Sequence, residues 1–106
     1  MSRRNGEMVS VKITPREDKA PSGKLANAEV IFESEAGLLS GLKLIGFGIW
    51  ERRNAGRNVT FPARQYSVNG ERRSFALLRP ATGDLGAQEP IREAILEAYS
   101  RFEAQS

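Results

Sequence analysis

The sequence predicts an α+β fold: a small antiparallel β-sheet of about five to six strands, with one C-terminal α-helix packed on it. Three observations predict it. Short stretches of period-two alternation fill residues 9–78, an Asn-Gly turn joins two of them, and residues 91–102 repeat apolar side chains with helical spacing. Strands first and one helix last is the order of an antiparallel sheet covered on one face. At 106 residues the chain is the size of one small domain, read as residues 8–104 behind a polar tail at 1–7.

Val9, Val11 and Ile13 alternate with Ser10, Lys12 and Thr14, a half-buried strand that Pro15 ends. Pro15–Lys24, with Pro21 and Gly23, reads as loop. Residues 25–33 alternate again, with Ala26, Ala28, Val30 and Phe32 facing one way and Asn27, Glu29 and Glu33 the other. Glu33–Gly37 is a polar turn leading into a strand over Leu38–Ile45, with Leu42 and Leu44 inward and Lys43 outward. Gly46-Phe47-Gly48 marks a bend or bulge, and Ile49-Trp50 resumes the strand. Arg52–Asn58 is a second turn, because Asn and Gly tolerate positive φ. Val59, Phe61 and Ala63 form a further strand face, with Pro62 where no ladder donor is needed. Asn69-Gly70 between extended segments favours a type I′ hairpin, returning over Arg72–Leu78. After a loop at Ala81–Glu89, Pro90 opens a helix whose apolar face is Ile91, Ala94, Ile95, Ala98, Tyr99 and Phe102, with Glu97 and Arg101 as an i, i+4 pair.

The chain has no Cys and no His. That excludes zinc fingers, iron–sulfur clusters, thiol nucleophiles, Ser–His–Asp arrangements and disulfides, and gives no reason to expect secretion. No cofactor, metal or small-molecule substrate is implied, and an enzyme is not expected. No apolar run approaches the ~18 residues that cross a bilayer, and the start, Met-Ser-Arg-Arg-Asn-Gly-Glu, does not read as a signal peptide. The cytoplasm follows by elimination. Gly46-Phe47-Gly48 lacks the Gly-Lys-Ser/Thr of a phosphate loop. Glu33 with Glu35, and Thr82-Gly83-Asp84, read as solvated turns.

Charge is the remaining signal. Net charge is +3, yet Lys43–Arg79 holds eight basic residues against Glu51 and Glu71, or +6, and the rest of the chain is −3. Seven of the eight are Arg, whose planar fork pairs bidentately with phosphate. The helix, with four acids against two Arg between Glu89 and Glu103, suits the sheet better than a polyanion. Candidate phosphate contacts are Lys43, Arg52, Arg53, Arg57, Arg64, Arg72 and Arg73. Trp50 and Tyr66, beside the basic turns, are candidates for base stacking; Phe61 and Phe75 read as core. The same charge bias would also serve as solubilising cover on a strand surface.

From Leu42 to Phe102 the sequence resembles the SpoVG (stage V sporulation protein G, septation protein) family. Leu42-Lys43-Leu44-Ile45 is similar to its central strand, and Gly56 followed by Val59-Thr60-Phe61-Pro62-Ala63-Arg64 to its Gly-aromatic-Val-x-Met-Pro-Ser-Arg strand. Asn69-Gly70-Glu71 resembles its Asp-Gly-Glu turn, and Ile91–Tyr99 its closing helix. Val9–Thr14 and Leu25–Phe32 fit its first two strands more loosely. The resemblance implies a homodimeric bacterial regulator that binds DNA and RNA, and carries Arg64 and Arg72 over as nucleic-acid residues. Gly46–Asn58 is longer than the family's turn, and Ala63 stands where the family has Ser. Two expectations follow: a small nucleic-acid-binding regulator with weak sequence preference, or a protein-interaction domain using its acidic helix or a sheet edge beside Pro62.

Overall fold

Pairing of alternating segments builds two separate sheets. The computed structural model describes residues 8–54 and 56–105, so the predicted tail at 1–7 lies outside the described residues. Strands β1 (Val9–Pro15), β2 (Lys24–Phe32), β3 (Lys43–Arg52) and β4 (Gly56–Thr60) form an antiparallel sheet in chain order. Strands β5 (Ala63–Val68) and β6 (Glu71–Ala76) form a two-stranded antiparallel ribbon of their own. A 3-10 turn at Leu85–Gln88 leads into α1 (Glu89–Gln105), and Asp84 caps that turn by accepting from the Gly86 amide at 3.0 Å. The α+β class and the closing helix are as the sequence predicts.

The predicted inward face of β2 is the floor of the core. Ala26, Ala28 and Val30 are buried together with Phe47 and Ile49 of β3 and Val59 of β4. Helix α1 lies across this face, reaching both outer strands, and buries Ile95, Ala98 and Tyr99. Phe61 caps the cluster edge-on to Phe47, with ring centroids 5.2 Å apart. The helical stripe is therefore read correctly at its centre, while Phe102, at its end, is more than a third exposed.

The Gly46-Phe47-Gly48 interruption has two structural causes. Leu44 pairs with Val30 and Phe47 with Ala28, so Ile45 and Gly46 together oppose Glu29 and form a β-bulge. Gly46 sits at φ +106°, and a Cβ there would lie 3.0 Å from the Cβ of Pro62. Gly48 is the seat of Trp50: a Cβ on it would stand 2.8 Å from the indole nitrogen, which donates to Thr60 Oγ1 at 2.9 Å.

Four expectations are corrected. Residues Ser34–Leu39 form a 3-10 turn, so Leu38 is outside the strand and fully exposed. Leu42 is 57% exposed, because the strand begins only at Lys43. Val59, Phe61 and Ala63 do not share one strand. Pro62 has no amide to donate, the ladder of β4 ends at Thr60, and the chain turns out into β5, leaving Ala63 exposed. The returning strand stops at Ala76, where the Leu77 amide donates to the Pro62 carbonyl at 2.8 Å. The Asn-Gly expectation holds: Val68 pairs with Glu71, and Asn69 and Gly70 both have positive φ, at 53° and 80°.

Every residue of β5, and all of β6 up to Phe75, is exposed, because the ribbon makes no extensive contact with another element. The molecule is accordingly elongated, 51 × 35 × 25 Å, with a radius of gyration of 15.2 Å where a compact chain of this length has about 13 Å. Truncating Ile95→Ala, at the fully buried centre of the helix–sheet contact, should destabilise the fold by about 2–5 kcal/mol in a urea titration. An unchanged midpoint would show that the helix is not anchored there.

Candidate functional site

Strand register distributes the predicted basic residues over several surfaces. Ile49 pairs with Val59 and Glu51 with Arg57, so Arg57 lies on the helix side of the sheet. Its guanidinium is 2.8 Å from Glu103 and 5.0 Å from the Tyr99 ring centroid, near the C-terminal end of α1, where a cation also complements the helix dipole. Arg57 thus ties the hairpin to the helix. Trp50 and Arg52 point to the opposite, open face, with the Arg52 guanidinium 6.0 Å from the Trp50 ring centroid.

Lys43 also belongs to the open face, where it pairs with Glu29 at 3.1 Å. Lys24, unmarked in the sequence, reaches within 5.8 Å of the Trp50 ring centroid and pairs with Glu17 at 3.2 Å. A backbone hydrogen bond within the Glu17 turn, then Lys24 and Asn27, hold the Glu17 carboxyl below its usual range. Trp50 is therefore half-buried, hydrogen-bonded to Thr60 and flanked by two cations. That is a structural seat and a poor stacking surface, against the expectation from its position.

The ribbon gathers the other candidates. Arg64 pairs with Phe75 and Tyr66 with Arg73, so these four share one face with Val68 and Glu71. Arg72, paired with Ser67, is on the other face beside Gln65. Arg73 is 3.0 Å from Glu71, while Arg53, Arg64 and Arg72 make no ion pair among the described residues. The Arg79 guanidinium lies 5.5 Å from the Phe75 ring centroid. Phe75, read from the sequence as core, is exposed against Tyr66; the missed signal was its place opposite Arg64, fixed by the Asn-Gly turn.

One apolar feature was not foreseen. A cleft of about 240 Å³ lies among Phe32, Leu39, Phe61, Leu78, Pro80 and Ile91. Leu38 is fully exposed, and Leu39, Leu42 and Ile45 are each about half exposed. Gln88 closes part of the cleft wall by donating to the Leu78 carbonyl at 2.8 Å.

Catalytic readings find little to build on. Glu33 accepts from Ser10 at 2.6 Å, and Glu35 from Ser34 at 3.3 Å. No group of three metal-ligating side chains converges among the described residues, and no helix of theirs is long and apolar enough to cross a membrane. No protein family, curated protein or solved structure matches the chain.

The assignment of Arg57 to the fold is testable. Arg57→Ala should cost about 1 kcal/mol through the lost ion pair and ring contact, a fall in Tm of about 4–8 °C. A Tm equal to the parent's would return Arg57 to the list of free surface cations.

Proposed function

We propose that this protein is a small nucleic-acid-binding regulator that holds DNA or RNA by its phosphates, through Arg side chains on projecting β-hairpins. The observation that carries the reading is the β5–β6 ribbon. Its segment Ala63–Arg79 has Arg64, Arg72, Arg73 and Arg79 against Glu71 alone, the first three on the exposed strands and Arg79 just beyond them. Arg53, exposed at the β3–β4 turn, and Arg52 beside it add charge at a second hairpin. The ordered likeness to the SpoVG family supports the same reading and brings with it a homodimer and a bacterial setting; the cytoplasm follows by elimination. Backbone-directed contacts carry no base information, so weak sequence preference follows.

A second reading, a protein-interaction domain, is favoured by the exposed Leu38, Leu39, Leu42 and Ile45, of which Leu39 lines the apolar cleft. Uncovered apolar groups gathered in this way mark partner surfaces. The two readings are compatible if this surface holds the second copy of a homodimer.

Fluorescence anisotropy with DNA and RNA oligonucleotides at several salt concentrations separates them. Binding should weaken steeply with salt, with a log–log slope near −0.9 for each phosphate contacted on duplex DNA. The double variants Arg64→Ala/Arg73→Ala and Arg52→Ala/Arg53→Ala should each weaken binding and flatten that slope. No binding at low salt, together with a specific co-purifying protein, would favour the interaction domain instead. Parental affinity and slope in both double variants would refute the residue assignment.

A further inference from the structure

The ribbon face that carries Arg64 and Arg73 is a checkerboard. Arg64 faces Phe75 across the ladder and Tyr66 faces Arg73, so the rings occupy one diagonal and the guanidinium groups the other. The two rings touch, with centroids 5.7 Å apart and planes tilted by 52°. Tyr66 and Phe75 nevertheless remain 41% and 38% exposed, and neither the helix nor the four-stranded sheet makes extensive contact with their strands. Strand aromatics are normally core residues, and here the fold supplies no core to receive them.

Charge decides what covers this face. A second copy laid against it would bring the same face, with Arg64, Arg73 and Arg79 against Glu71, two positive charges in excess on each side. A polyanion meets the same excess with complementary charge. Resting on the nucleic-acid reading above, we infer that this face binds single-stranded nucleic acid. A base stacks on the Tyr66 ring, backed by Phe75 with the Arg79 guanidinium over it, while Arg64 and Arg73 pair with the adjoining phosphates.

The strand form follows from the rings. In a duplex each base already has neighbours stacked on its faces, so an aromatic side chain finds nothing to stack on. An unpaired strand offers those faces, and it does so for every base, which keeps sequence preference low. The Arg73–Glu71 pair does not block the site. Both side chains are more than half exposed, and such a pair is weak enough for a phosphate to displace.

The experiment compares three ligands on the full chain by anisotropy at fixed salt: a short single strand, the duplex of the same sequence, and a sugar–phosphate strand of equal length lacking its bases. The unaltered protein should bind the single strand about tenfold or more tighter than the base-free strand, the scale of one stacked base. Tyr66→Val, which keeps a strand-forming residue and removes the ring, should lose about tenfold on the single strand, with the duplex affinity and the salt slope unchanged. Tyr66→Phe should retain parental affinity.

Equal affinity of the unaltered protein for the base-bearing and base-free strands would overturn the stacking inference while leaving the phosphate reading intact. That comparison stands even if a ring variant opens the ribbon. Parental single-strand binding by Tyr66→Val would also overturn it. Failure to bind any of the three ligands at low salt would overturn both readings together.

Discussion

The arrangement of this molecule depends on Pro62. It is buried, it cannot donate to a ladder, and its ring stands against Gly46 at the β3 bulge. The edge strand therefore ends at Thr60, and the chain is diverted out of the sheet instead of continuing along it. The Pro62 carbonyl then receives the Leu77 amide at the point where the chain returns, which closes the base of the ribbon. One residue without an N–H thus separates a packed sheet–helix layer from an unpacked two-stranded arm. The glycine opposite it is needed because a side chain at that backbone angle would press on the proline ring.

This division sorts the charges. On the packed layer, cations are drawn into the fold: Arg57 onto Glu103 and Tyr99, Lys43 onto Glu29, Lys24 onto Glu17 beside Trp50. On the arm, four Arg share one nearby acid, and there is no helix to bring more. Among the described residues, cations without an ion pair therefore remain on the arm and, with Arg52 and Arg53, at the β3–β4 turn. Surface ion pairs are individually weak, so it is their placement, more than their number, that separates fold-keeping cations from those left exposed.

Much of the fold was legible because period-two alternation and the Asn-Gly turn are local signals. The buried face of β2, the type I′ turn and the centre of the helix stripe could all be read from spacing alone. The exposure of Leu42 could not, since it depends on where the strand begins, at Lys43. Nor could the single strand face expected of Val59, Phe61 and Ala63, because a proline leaves open whether a strand continues along an edge or departs. The expected site was legible as composition and only in part as geometry. Eight cations between Lys43 and Arg79 were evident, but which face each occupies follows from register. In the ribbon that register was available from the Asn-Gly turn, which sets Tyr66 opposite Arg73 and Arg64 opposite Phe75. Where Arg57 and Trp50 go depends on tertiary neighbours more than thirty residues away in one case and on a glycine seat in the other.

The isolation of the ribbon also bears on how the protein tolerates change. A lone hairpin is marginally stable in water, and this one shares no buried side chains with the sheet–helix core beyond its base. Its amides should exchange with solvent by local opening, at a free energy well below that of global unfolding. Residues along the arm are consequently decoupled from the stability of the domain. Substitutions can accumulate there without placing the scaffold at risk.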